Sequence, residues 1–113
     1  MIIYKILTAD EWSALQRDGE TAGAPIDVAD GFVHFSTAGQ VAETLARHFA
    51  GQDGLHLLAI EAAALGSALT WEPSRGGALF PHLYGPLRLT DLHYARPLER
   101  TADGSHRLPE PFA

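Results

Sequence analysis

The chain has 113 residues, no cysteine and a formal net charge of −6, from fourteen acidic and eight basic side chains. This length predicts one domain, and the hydrophobic fraction of 46% is that of a folded rather than a disordered chain. The basic residues are scattered singly, which argues against a duplex nucleic acid as a partner. The lack of cysteine excludes disulfides and fits a reducing compartment, and no run of about 20 apolar residues is available to span a membrane. We therefore expect a cytoplasmic protein.

The first thirty residues predict a strand, a helix and a loop. Residues 2–7 are apolar and β-branched, which is typical of a short strand inside a sheet. Residues 8–11 have the form of a capping box, in which a threonine and a glutamate three positions later bind the free amides of a helix start. This predicts a helix over 9–17 that ends near Gly19. Residues 20–31 show no sustained period and contain glycine and proline, so we expect a loop.

The next strand carries the first candidate site residues. Its period of two places His34 and Ser36 on one face with Phe32, and Val33 and Phe35 on the other face. The backbone of a strand fixes the position of a histidine ring, and fixed geometry suits binding or acid–base chemistry. The alternative is a structural histidine that donates to a backbone carbonyl.

The rest of the chain predicts an α+β domain over residues 1–98, with two main helices and a small, split, twisted sheet that is mixed or antiparallel. The expected elements are a helix at 38–49 after a second capping box at 37–40, strands at 55–61, 69–72 and 89–95, a long loop at 73–86 and a loosely ordered tail at 99–113. The loop holds three prolines and three glycines, interleaved with aromatic residues. A loop this long in a small domain is usually functional, so we expect it to form a pocket wall with the His34 strand.

These segments supply the candidate site. The candidate catalytic residues are His34, Glu72 and His82, because histidine and a strand-end carboxylate can act as acid, base or stabiliser of a developing charge. The candidate ligand-binding residues are Ser36, Thr37, Arg75, Gly76, Gly77, Phe80 and Tyr84. Arg75 can fork onto a carboxylate or phosphate beside glycines that allow close approach. We expect no metal, since the histidines lack HxH or HExxH spacing. The alternatives are an ordinary surface turn at Arg75 and a loop whose rings only plug the core.

Residues 4–6, 31–37, 71–72 and 77–85 resemble a bacterial domain-of-unknown-function family, number 952. The strings His-Phe-Ser-Thr and Phe-Pro-His-Leu-Tyr-Gly carry this resemblance, which extends over about residues 2–98. It implies an ADP-ribosylation fold, similar to that of ADP-ribosyltransferases, and it implies no assigned reaction.

The order of segments also resembles the NAD-binding lobe of tRNA 2′-phosphotransferases, which share that fold. Four motifs of that lobe correspond here to residues 4–7, 33–36, 58–61 and 74–77. In that superfamily the first motif contains a histidine and a glycine that contact the nicotinamide ribose and amide, and Lys5 and Ile6 stand at those places here. A transferase activity would therefore use a rearranged site.

Taken together, these features predict a cleft that binds NAD or another nucleotide-like anion between His34, Ser36 and the loop from Arg75 to Tyr84, with glycosyl transfer as its candidate chemistry. One alternative is a non-catalytic module of the same fold that senses a metabolite or binds a protein. Another is a different small-molecule enzyme with His34 and His82 as acid and base. The sequence fixes neither the ligand nor the oligomeric state.

Overall fold

The computed structural model describes residues 1–109, except for the side chain of Arg75, and shows an α+β arrangement in which every strand pairing is antiparallel. In chain order the elements are β1 (Ile2–Leu7), α1 (Ala9–Asp18), β2 (Glu20–Thr21), α2 (Pro25–Asp30), β3 (Val33–His34), β4 (Ser36–Thr37), α3 (Val41–His48), β5 (His56–Glu61), β6 (Leu69–Ser74), β7 (Ala78–Leu83), β8 (Leu87–Arg88), β9 (Leu92–Pro97), β10 (Glu99–Arg100) and β11 (His106–Arg107).

The larger sheet has four strands in the order β4–β1–β5–β9. Its two central strands are apolar on both faces, and each face supports a hydrophobic core. One core joins the sheet to α1 and to β3, through residues such as Ile3, Leu15 and Phe35. The other core joins it to α3, through Tyr4 and Leu45 among others. Burial of apolar side chains on both faces accounts for the confirmed prediction that 55–61 is a central strand.

A second sheet has three strands in the order β3–β7–β6. The amide of Phe35 donates to the carbonyl of Pro81 at 3.0 Å, and Pro81 has no N–H to return the bond. The ladder between β3 and β7 stops there, and the next two residues of the chain pair with β1 as β4. The predicted continuous strand at 32–36 is therefore wrong as one element, because Phe35 is the junction where the chain passes from one sheet to the other.

Among residues 1–109, β6 pairs with β7 alone and forms the open edge of the three-stranded sheet. The Pro81 carbonyl points toward β3. The N–H and C=O groups of alternate residues of a strand point to opposite sides, so those of Phe80 and His82 point toward β6. Their partners on β6 must face β7 in return. The alternation of the strand then turns the backbone of Trp71 and Pro73 toward the open edge, so the missing N–H of Pro73 costs no hydrogen bond within the sheet.

Two segments predicted as loops contain regular structure. In 20–31 the chain forms β2 and then α2, which has Pro25 in its first turn and Gly31 as its C-cap at φ 86°. Pro at the start and Gly past the end are compatible with a helix as well as with a loop. In 73–86 the chain forms a β6–β7 hairpin, whose turn places Gly76 and Gly77 at positive φ.

The main difference between the predicted and the observed helices is the residue at which α3 begins. The Thr8 capping box and the Gly19 end of α1 are confirmed. The helix predicted from 38 begins instead at Val41, because residues 37–40 form a separate turn before it. In this turn the main-chain N–H of Gln40 donates to the Thr37 carbonyl, and the side-chain Oε1 of Gln40 accepts from the main-chain N–H of Thr37. With α2, the described residues contain three α-helices rather than the two predicted main ones.

The C-terminal strand and tail also shift. The strand predicted at 89–95 runs instead from Leu92 to Pro97 as β9. The predicted loose tail contains the β10–β11 hairpin, and its residues 110–113 lie outside the described part of the chain. None of the helices in residues 1–109 is long and apolar enough to cross a membrane.

Candidate functional site

A cavity of about 510 Å³ lies where α3 and the β1–β4 edge of the larger sheet meet one face of the three-stranded sheet. The cavity is lined by Tyr4, Lys5, Ile6, Ala24, Ile26, Asp27, His34, Phe35, Ser36, Thr44, His48, Phe49, Ser74, Phe80 and His82. This volume falls within the range of small-molecule sites, which are mostly apolar with a few convergent polar groups. We refer to this cavity as the cleft.

His34 and His82 meet on the wall of the cleft. They are direct partners across β3 and β7, and their ring centroids lie 5.2 Å apart, edge to face. The prediction that they share a concave surface, although 48 positions apart in sequence, is confirmed. Phe32 stacks on the His82 ring at 4.2 Å and also contacts Tyr84 at 5.1 Å. The pairing arises because the hairpin of β6 and β7 replaces the predicted loop, so both histidines are held by strands.

Behind His82, Glu72 accepts two hydrogen bonds at the same oxygen. His82 Nδ1 lies 2.8 Å from Oε1, and the Tyr84 hydroxyl donates to it at 2.7 Å. The hydrogen bond from Tyr84 is the largest cause of the lowered pKa of Glu72, and the bond from His82 is the next. The hydrogen bond to Glu72 in turn raises the pKa of Tyr84. Glu72 is therefore an ionised acceptor that orients the His82 ring.

His34 contacts two carboxylates. Its Nδ1 lies 2.5 Å from Asp27 Oδ1, and its Nε2 lies 3.0 Å from Asp30 Oδ2. Each ring nitrogen faces a carboxylate, so the orientation of the His34 ring is fixed from both sides. The alternative, a structural histidine, named a backbone carbonyl as the partner of the ring, and the partners are instead the carboxylates of α2.

Asp27 is the centre of this network, and its side chain is fully buried. Its oxygens accept from Lys5 Nζ at 2.7 Å, from the Ala24 amide at 2.7 Å and from the His34 amide at 3.1 Å, in addition to the His34 ring. A Cβ on Gly23 would overlap the Asp27 side chain, so only glycine permits this approach. The network joins α2, β1 and β3 on one side of the cleft.

Opposing effects set the ionisation of Asp27. Burial acts to raise its pKa, but the Lys5 ammonium and the hydrogen bonds from Lys5 and His34 outweigh burial and hold the pKa below its usual value. A carboxylate with a lowered folded pKa contributes stability that is complete above its unfolded value of about 3.9 and is lost as the pH falls through the folded value.

We therefore expect the free energy of unfolding to fall as the pH is lowered below about 4. The fall should be less steep in Asp27→Asn, which has no carboxylate to protonate at this position. Urea titrations at pH 5, 4 and 3 on both proteins measure this difference. Parallel pH profiles would show that other carboxyl groups dominate the loss.

Family comparison identifies relatives of the chain but not a reaction. The model of a family described as a protein of unknown function, DUF952, matches residues 6–94. The chain belongs to the DUF952 family. This confirms the predicted family. No curated protein matches the chain.

Solved structures of one similar protein share this architecture. The crystal structure of protein CC0527 from Caulobacter crescentus is 48% identical, with 96% of this chain and 95% of that chain covered and a TM-score of 0.92. The solution NMR structure of CC0527 is 49% identical, with 92% and 90% covered and a TM-score of 0.83. The similarity extends over almost the whole of both chains.

The other predicted site residues of this DUF952 protein are distributed around the cleft. Ser36 and Phe80 line it, and the Ser36 hydroxyl lies 3.0 Å from that of Thr44. Thr37 contacts Gln40 rather than the cleft lining, and Tyr84 is half exposed behind His82. Backbone atoms of Arg75, Gly76 and Gly77 form the hairpin turn, and the Arg75 side chain is outside the described structure. In the described residues, no three histidine or acidic side chains are grouped to hold a metal ion.

Sequence reasoning missed Asp27, Lys5 and Asp30 as parts of the site. A signal was present, because a lysine inside an apolar strand needs a buried partner. Residues 25–30 contain two aspartates three positions apart, which is a helical spacing. With 20–31 predicted as a loop, the spacing of its aspartates gives no prediction of a shared face, because residues three or four positions apart lie side by side only on a helix.

Proposed function

We propose that the cleft binds a small, anionic, nucleotide-like molecule, with NAD as the first candidate. The observation that carries this proposal is the convergence of His34, Ser36 and His82, from three different strands, on one cavity of about 510 Å³. The remaining lining is largely apolar, as expected for a site that holds a planar base while polar groups fix the orientation of a sugar or phosphate.

An ADP-ribosyltransferase-like arrangement is part of the proposal. Two antiparallel sheets that diverge at Phe35 and enclose the cleft between them support it. In such a site the carboxylate of Glu72, which acts through the His82 ring that it orients, would stabilise positive charge on a ribose as its glycosidic bond loosens. Glu72 is ionised and fixed by two hydrogen bonds, which suits that role.

A non-catalytic binding module is the second candidate, and a specific contact favours it. Lys5 stands where the resemblance places a nicotinamide-binding histidine, and its ammonium is held by buried Asp27 at 2.7 Å. This ion pair gives Lys5 a structural role as a support for α2, in place of the ligand contact that the histidine makes in the superfamily.

Ligand binding by the full chain tests both candidates together. We expect NAD and ADP-ribose to raise the thermal unfolding temperature with the logarithm of ligand concentration above the dissociation constant, with about 2.7 kcal/mol gained at a hundred times that constant. Chromatographic detection of nicotinamide released from NAD distinguishes catalysis from binding alone. Absence of any shift with millimolar NAD, ADP-ribose and AMP would overturn nucleotide binding in this cleft.

We expect charge reversal at Arg75 to weaken the binding of NAD more than about tenfold, which corresponds to 1.4 kcal/mol. Arg75 is placed by its backbone in the hairpin turn that adjoins Ser74 of the cleft lining. The matched control is Arg47→Glu, since Arg47 lies on the exposed face of α3 and pairs with Glu43. Calorimetric titrations in one buffer compare the two variants. Equal losses would indicate a general field effect rather than a contact.

A further inference from the structure

One nitrogen of the cleft wall has no protein partner. His82 is 4% exposed, and its Nε2 is buried without a hydrogen bond to any described residue. A buried polar atom left unpaired costs free energy, so an unpaired atom on a cavity wall points to a group supplied from outside the chain. His82 belongs to the lining of the cleft, where a ligand or an ordered water can supply that group.

The contact of the other ring nitrogen, Nδ1, determines whether the missing group is a hydrogen-bond donor or an acceptor. Nδ1 faces Glu72, an ionised carboxylate that can only accept, so Nδ1 must carry the ring proton that is donated. In the neutral ring this leaves Nε2 as an acceptor with an unused lone pair. The partner that the neutral ring lacks is therefore a hydrogen-bond donor, whereas a phosphate or carboxylate oxygen would require the doubly protonated ring.

We propose that the ligand of the cleft presents a hydroxyl group, of the kind found on a ribose, which donates a hydrogen bond to Nε2 of His82. The inference rests on the proposed function and narrows it, because it requires a polyol or sugar as well as an anion. Less than 1 Å² of Nε2 is exposed, so a side chain of the cleft wall shifts when the hydroxyl enters. Glu72 acts as the positioning residue, since it holds the ring in the accepting tautomer.

The tautomer is tested first, on the ligand-free chain. Two-bond proton–nitrogen NMR spectra of uniformly ¹⁵N-labelled protein distinguish a protonated from an unprotonated ring nitrogen. We expect unprotonated Nε2 and protonated Nδ1 for His82 above neutral pH, and a mixture of both tautomers in Glu72→Leu. A His82 ring with Nε2 protonated and Nδ1 unprotonated in the wild-type chain would overturn the proposal, whatever ligand binds.

The hydroxyl is tested with AMP and its 2′,3′-dideoxy counterpart as matched probes. We expect the dideoxy probe to bind about tenfold more weakly to the wild-type chain and AMP to shift the Nε2 resonance of His82. In His82→Phe, which keeps a ring but has no acceptor, the two probes should bind alike. Equal binding of both probes to the wild-type chain, with Nε2 unmoved, would overturn the hydroxyl contact and leave nucleotide binding intact. Failure of both to bind, together with failure of NAD and ADP-ribose, would overturn the proposed function as well.

Discussion

Asp27→Ala is expected to destabilise the fold by about 3 to 5 kcal/mol, the range for breaking a buried ion pair from one side. The substitution leaves the buried Lys5 ammonium without its partner and removes the acceptor of the Ala24 amide at the start of α2. Small domains have about 5 to 15 kcal/mol of stability in total, so this variant should approach the limit of folding. Urea unfolding followed by circular dichroism measures the loss.

Two controls identify the cause of that loss. Asp30→Ala removes the more exposed of the two carboxylates that contact His34, and it should lower the free energy of unfolding by no more than about 1 kcal/mol. Combining Asp27→Ala with Lys5→Met removes both buried charges, and we expect the double variant to be more stable than Asp27→Ala alone. Additive losses in the double variant would contradict the ion pair as the source of the effect.

Phe35→Ala is expected to cost about 3 to 5 kcal/mol, because it removes a buried ring from the core shared by the two sheets. His34→Ala, at the adjacent position, should cost less, about 1.5 kcal/mol, since Asp27 keeps three of its four hydrogen bonds. The order should reverse for binding of NAD, where His34→Ala has the larger effect. Thermal unfolding and calorimetry on both variants give the comparison, and equal destabilisation would assign His34 a mainly structural role.

The parts of the fold that follow from local rules could be predicted from the sequence. The alternation of residues 32–36 gave the correct faces for Val33, which is buried in the core, and for His34 and Ser36, which line the cleft, whereas Phe35 packs in the core and also lines the cleft. The capping box gave the bounds of α1 to within one residue. In both cases the interaction that decides the structure lies within a few positions along the chain.

What could not be predicted depends on partners distant in sequence. Pro73 and Pro81 suggested a loop, whereas β7 accepts a proline at the point where its neighbour leaves for the other sheet. The carboxylate of Asp27 is buried only because Lys5, 22 positions earlier, supplies the counter-charge. The face of His82 is likewise set by the hairpin register opposite His34. Sequence periodicity contains none of these pairings.

The placement of Pro73 on the open edge of β6 has a consequence for how the molecules behave at high concentration. A free strand edge is a template on which a second chain can add, and repeated addition of this kind leads to amyloid-like stacking. Here an approaching strand would find an N–H donor at Trp71 but none two positions later. The gap makes regular pairing along the whole strand impossible, and it protects the hairpin that carries His82 and Glu72 from aggregation through its own edge.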